Sequence, residues 1–97
     1  MPLTEQQKKT LRGLGHTLKP VILVGAGGLS QSLLDEFEHS LEHHELMKVK
    51  VSAGDRAQRD AIIAALCQHG GAELVQRVGK VWLLFRRRRN KSKFTAL

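Results

Sequence analysis

The feature that most narrows the fold is a short apolar run ending on glycines. Val21-Ile22-Leu23-Val24 leads straight into Gly25-Ala26-Gly27-Gly28, and Ser30 then opens a helical pattern. Four adjacent apolar residues, three of them β-branched, favour extended backbone. They do not alternate with polar residues, so the run reads as a strand covered on both faces. Ser30 is a good N-cap, and Leu29 is placed to staple onto Leu34. Strand, tight loop and helix in this order commit the chain to an α/β fold with crossover connections.

The other elements follow from the same periodicities. Thr4-Glu5-Gln6-Gln7 forms a capping box for a first helix, with Leu11, Leu14 and Leu18 on its apolar side and Pro20 beyond its end. In the second helix Leu33, Leu34, Phe37 and Leu41 make the buried stripe, while Asp35, Glu36, Glu38 and Glu42 face water. Val49, Val51 and Ala53 alternate with Lys48, Lys50 and Ser52, which predicts a strand with one basic face. Asp55 to Gln58 caps a third helix with Ile62, Ala65 and Leu66 inward and Gly70-Gly71 at its end. Residues 73–78 and 81–86 make a hairpin around Gly79-Lys80, where a leading glycine suits a type II′ turn. The predicted order is αβαβαββ: one α/β domain over residues 1–86, with three helices and a mixed four-stranded sheet. A basic, frayed tail covers residues 87–97.

Ninety-seven residues suffice for one modest core, and 41% apolar with 26% charged residues is ordinary for a soluble domain. No apolar run approaches the ~20 residues that span a bilayer, and Met1 to Gln6 lacks an apolar leader. No membrane partner is expected. A single cysteine, Cys67, fits a reducing compartment, so the expected location is cytoplasmic.

Charge points to a partner. Sixteen Lys/Arg against nine Asp/Glu give +7, and a pI near 10.2 favours a polyanion. The charge is segregated: +3 over residues 1–24, −5 over 25–47 and +9 over 48–97. One basic and one acidic surface are therefore expected.

A glycine loop between a strand and a helix N-terminus suits phosphate, because bare backbone and the helix dipole meet there. The loop has no lysine for a Walker A motif, and Gly25, Gly27 and Ser30 miss the dinucleotide fingerprint G-x-G-x-x-G/A. Gly25 to Gly28 does fit a GxxG turn that clamps a nucleic-acid backbone. The same glycines also serve simply to turn the chain, and both readings stand at this point. Arg56 and Arg59 open the third helix at the carboxyl edge of the parallel strands, where ligands gather, while Lys19 just before the first strand and Lys48 and Lys50 on one strand face extend the candidate phosphate contacts.

Several segments together resemble the CRM domain (chloroplast RNA splicing and ribosome maturation), in its stand-alone bacterial YhbY-like form. They are Leu14-Gly15-His16, Leu18-Lys19-Pro20, Val24 to Ser30, Leu41 to Leu46, Lys48 to Val51, and Gly79-Lys80. The resemblance covers residues 3–86. It implies an RNA-binding fold similar to the C-terminal domain of translation initiation factor 3. It also implies association with precursors of the large ribosomal subunit, hence with ribosomal RNA. Neither implication follows from composition or spacing.

Rival chemistries are weaker. His39-Ser40-Leu41-Glu42-His43 matches the inverted zinc-peptidase motif H-x-x-E-H, but a third ligand and a walled cleft are lacking in so short a chain. Cys67 reads as a partly buried, inert thiol. Trp82 and Phe85 read as core rather than as base-stacking platforms. Arg86, Arg87, Arg88 and Arg89 suit either an RNA-contacting arm or a solvated tail. The expectation is thus a non-enzymatic, monomeric RNA-binding protein of ribosome assembly, without cofactor or metal. The alternative is a protein-interaction module that uses the acidic second helix.

Overall fold

The computed structural model describes residues 2–97; Met1, where the first domain was expected to begin, lies outside the described residues. Helix α1 spans Glu5–Gly15, β1 Pro20–Val24, α2 Gln31–His44, β2 Leu46–Val51, α3 Arg56–Gly70, β3 Glu73–Val78 and β4 Val81–Phe85. The expected αβαβαββ order is the observed one. All three helix starts are capped as read: Thr4 and Asp55 by capping boxes, Ser30 through its hydroxyl accepting from the Leu33 N–H. At the hairpin, Gly79 has φ +62 while Lys80 is not among the positive-φ residues, as a type II′ turn requires.

The sheet order is β1-β2-β4-β3, with β1 parallel to β2 and β4 antiparallel to both of its neighbours. β2 and β3 are therefore parallel with β4 inserted between them, and two βαβ crossovers progress in the same direction across the sheet. Right-handed crossovers of that kind put both helices on one face. Phe37 and Leu41 of α2 and Ile63 and Leu66 of α3 accordingly bury against Ile22, Val24, Met47, Val49, Val51, Trp82 and Leu84.

That asymmetry corrects three expectations. β1 is covered on one face only: Ile22 and Val24 are buried, but Val21 and Leu23 are exposed. Among the described residues the other sheet face is covered by α1, Leu3 and the chain's last residues, and they reach one end. Leu11 is buried there, whereas Leu14 and Leu18, expected beside it, are exposed. On α3 the inward face is Ile63, Leu66 and Gly70; Ala65 is exposed and Ile62 only half-buried. The sheet approaches that helix one residue further round than the sequence pattern placed it.

The tail is not frayed. Phe94 meets Phe85 edge to face at 5.2 Å, and with Leu97 and Leu3 it covers a second small core of Leu11, Leu46, Val75, Leu83 and Phe85. Its anchor is Glu45, the one buried charged residue among those described, at 0% exposure. Glu45 ends α2 at φ 64, ψ −51, a backbone conformation that non-glycine residues avoid. Its carboxylate accepts from the Arg88 N–H (2.9 Å), the Lys93 N–H (2.8 Å) and the Ser92 hydroxyl, while the Arg88 guanidinium lies 3.5 Å away.

Burial works to raise the Glu45 pKa, but the bonds from Ser92, Lys93 and Arg88 outweigh it and the net shift is downward. A lowered carboxyl pKa stabilises the fold above the ordinary value of 4.5 and loses that contribution as pH falls through the lower folded value. The Arg88 and Lys93 amide resonances should therefore move toward unstructured positions on acidification, while those of Val49 and Leu84 in the main core hold. A pH titration followed by amide NMR checks this.

Candidate nucleic-acid interface

Three loops meet at one edge of the sheet. Val24 pairs with Val51 at the carboxyl ends of β1 and β2, so the loops that follow leave side by side. The Ser52 N–H donates to the Val24 carbonyl at 3.0 Å and ties these loops together. The Val51 N–H donates to the Lys80 carbonyl at 3.0 Å, which brings the β3–β4 hairpin to the same edge.

The glycine loop is a β-turn, closed by the Gly28 N–H donating to the Gly25 carbonyl at 3.1 Å. Gly28 has φ +66 and needs glycine for that reason. Gly25 and Gly27 do not: neither has a positive φ, and a Cβ added at either would meet nothing within 4 Å. Their bare backbone is therefore not required by the chain's own packing and leaves room for something outside it. α2 begins just beyond, with no acid in its first turn to offset the positive end of the helix dipole.

The structure sorts the candidate cations into groups. Lys50 and Arg56 are exposed near the loop edge, Arg56 only loosely paired with Asp60 at 3.7 Å. Arg59 is half-buried and spends a guanidinium N–H on the Gly54 carbonyl, so it shapes the adjacent loop. Ala26 sits exposed at the tip of the glycine turn. Lys19 and Lys48 lie at the other end of β1, where Pro20 pairs with Lys48, about 13 Å along the strand from Val24 at ~3.3 Å per residue. Lys80 joins the edge group and was not anticipated. Only once β4 is known to insert between β2 and β3 does the hairpin tip fall at this edge, beside the loop that follows β2 and one strand from the glycine loop. Arg77, on the same hairpin, donates to the Gly79 carbonyl at 2.9 Å.

The arginine run lies at the opposite end of the sheet, because β4 leaves the loop edge at Val81 and ends at Phe85. Arg86 is consumed by the fold: it binds both carboxylate oxygens of Glu38 (2.8 and 2.6 Å), approaches Glu42 at 3.6 Å and donates to the Gly70 carbonyl at 2.9 Å. The hydrogen bond from Arg86 lowers the Glu38 pKa and raises that of Arg86 itself; burial opposes both shifts. Arg88 is held by Glu45 and by the Glu42 and Lys91 carbonyls. Arg87 and Arg89 are exposed. Glu38 is thus neutralised by Arg86 and Glu42 shares the same guanidinium at longer range, while Asp35 and Glu36 are the acids of this helix that form no ion pair among the described residues.

The remaining motifs fall away from this edge. His39, Glu42 and His43 are exposed on α2, and no group of three potential ligands converges among the described residues. Cys67 is half-buried, and burial raises its pKa, so it holds its proton as an ordinary core thiol.

Comparison with known proteins fits this geometry. A protein of Pseudomonas aeruginosa, named a probable RNA-binding protein, is 42% identical over 87 residues, covering 90% of this chain and 84% of its own. An RNA-binding protein of Haemophilus influenzae is 43% identical over 84 residues, covering 87% and 85%. The solution structure of a Staphylococcus aureus protein superposes with TM-score 0.79 at 28% identity, covering 94% of this chain and 95% of that one. The family model of the CRS1 / YhbY (CRM) domain matches residues 3–86. By fold, by relatives and by the extent of that match, the chain belongs to the CRS1/YhbY (CRM) domain family.

Proposed function

We propose that this chain binds RNA at the loop edge of its sheet and acts, without catalysing a reaction, on precursors of the large ribosomal subunit. The observation that carries the reading is the turn at Gly25–Gly28: two glycines the fold does not need, at the sheet edge that also carries Lys50, Lys80 and Arg56. Backbone phosphate approaches such a turn closely, and the cations supply affinity with little sequence choice. Arg59 supports the loop as well as adding charge. Lys19 and Lys48 extend the surface along β1, and Arg87 and Arg89 offer a separate contact at the far end. The names of the relatives support RNA as the ligand. The ribosomal assignment rests on the family resemblance; the basic charge supports a polyanionic ligand without choosing among RNAs.

Replacing Gly25 and Gly27 together by alanine separates the two roles of the loop. Thermal stability should stay within about 0.5–1 kcal/mol, since both sites are sterically open. RNA affinity should fall roughly tenfold, as lost close approach removes about one charge-assisted contact. Gly28→Ala should instead cost about 1–2 kcal/mol of stability through its positive φ. Melting curves and RNA titration of the three proteins check the assignment.

The ribosomal reading is tested by fractionating lysate on sucrose gradients at low and high salt. Cosedimentation with large-subunit particles that is lost in high salt supports it. Recovery only in free-protein fractions at every salt overturns it. For the protein-interaction alternative, Glu38 and Glu42 are poor probes, because charge reversal there strips Arg86 of its partners. Asp35 and Glu36 are exposed and test the acidic face without that damage.

A further inference from the structure

Two cross-strand rows on the α1 side of the sheet lie at and beyond the edge of the part that α1 covers, with Leu83 of the inner row still buried beneath Gly15. Pro20, Lys48, Leu83 and Gln76 form the inner row; Leu23, Lys50, Val81 and Val78 form the outer one, next to the glycine loop. Leu23 is 67% exposed and Val78 66%, the most exposed large apolar side chains among the described residues. A depression of about 410 Å³ opens between the rows and the end of α1, walled by Leu18, Pro20, Val78 and Val81, with Gln76 and Lys48 at its polar side. That size lies within the ~300–1,000 Å³ of ligand pockets. No carboxylate lines it.

We propose that this open half-sheet seats unpaired nucleotides, one base entering the depression while Lys48 and Lys50 hold the flanking phosphates. The proposal rests on the RNA-binding reading above and narrows it to single-stranded RNA. Three features favour that occupant. The patch is aliphatic and flanked by lysines without an opposing acid, so it complements an apolar ring on an anionic chain. The Gln76 amide offers both a donor and an acceptor to a base edge. The outer row runs into the glycine turn through Val24, so a backbone held at Gly25–Gly28 delivers its next nucleotides onto Leu23 and Val78. A duplex keeps its base faces stacked and has nothing to place there.

The test compares a single-stranded oligonucleotide with a hairpin of the same composition, bound to the full chain and read by fluorescence anisotropy. Val78→Asp and Leu23→Asp place a charge on exposed positions, so melting temperatures should hold. Single-strand affinity should fall about tenfold or more, on the scale of one lost base contact, and hairpin affinity should change less than about twofold. Gly25→Ala/Gly27→Ala should weaken both ligands. If the aspartate variants bind the single strand like the parent while the loop variant still loses affinity, the seat is refuted and the RNA reading survives. If the loop variant binds normally as well, the underlying reading itself fails. Concentration-dependent sedimentation abolished by Val78→Asp at unchanged RNA affinity would assign the face to a second copy and overturn the proposal. Should either variant misfold, photocrosslinking of thiouridine-substituted RNA to the parent decides. Adducts within residues 16–23 or 76–81 uphold the seat, and adducts confined to 25–30 and 54–59 reject it.

Discussion

Glu45→Ala is expected to lower the unfolding free energy by about 3 kcal/mol, because it strands several buried donors at once. The Arg88 and Lys93 N–H groups, the Ser92 hydroxyl and the Arg88 guanidinium all converge on that carboxylate. The released segment would uncover Leu11, Leu46 and Phe85 as Phe94 and Leu97 depart. Glu45→Gly should be the milder change, since relief of the φ 64 backbone returns about 1 kcal/mol. Glu45→Gln should lie nearer the parent, keeping one acceptor oxygen while presenting an NH2 where donors already crowd. Urea denaturation ranks the three, and limited proteolysis after the basic residues 87–93 reports whether the tail has left. An alanine variant as stable as the parent would show that the carboxylate is not the anchor, and a glycine variant no milder than alanine would show that the φ 64 backbone stores no strain.

Removing Lys50, Arg56 and Lys80 together should produce the largest change in RNA affinity. Each phosphate contact adds about 0.7 to the salt slope for a single strand, so the slope should flatten by about 2. A parent that neutralises about five phosphates would start near −3.5 and end near −1.4. Affinity at physiological salt should drop about 100-fold or more, and the loss should shrink as salt is raised. Stability should hardly move: Lys50 and Lys80 are exposed, and Arg56 has only a loose surface pair. Titrations at four or five salt concentrations give the slope directly. Removing Arg87 and Arg89 instead should leave loop-edge binding intact, because they stand at the far end of the sheet. Equal effects from the two sets would mean that RNA spans the whole molecule.

Local signals in the sequence were the dependable ones. Thr4, Ser30 and Asp55 announced the three helix starts because capping is settled within four residues. The Gly79-Lys80 hairpin was legible for the same reason. Long-range choices were not. Whether Val21 and Leu23 are covered depends on which side the two crossovers fall, and no residue of β1 encodes that. Arg86 looked like one member of a run of four, yet its partner Glu38 lies 48 residues away in sequence. Glu45 appeared as one more acid in an acidic stretch, and nothing local marked it as buried. Lys80 was passed over because its position depends on strand order, which only the complete sheet defines.

The sheet separates two apolar clusters that share no residue, one under α2 and α3 and the other under α1 and the tail. Substitutions on opposite sides of such a wall, with no common partners, combine nearly additively. The larger compartment can then hold the fold while the smaller one drifts. Sequence change around α1 and the tail becomes a way of reshaping the lysine-flanked face without renegotiating the main core. On the RNA-binding reading proposed above, a domain partitioned in this manner can alter its ligand face one near-neutral step at a time.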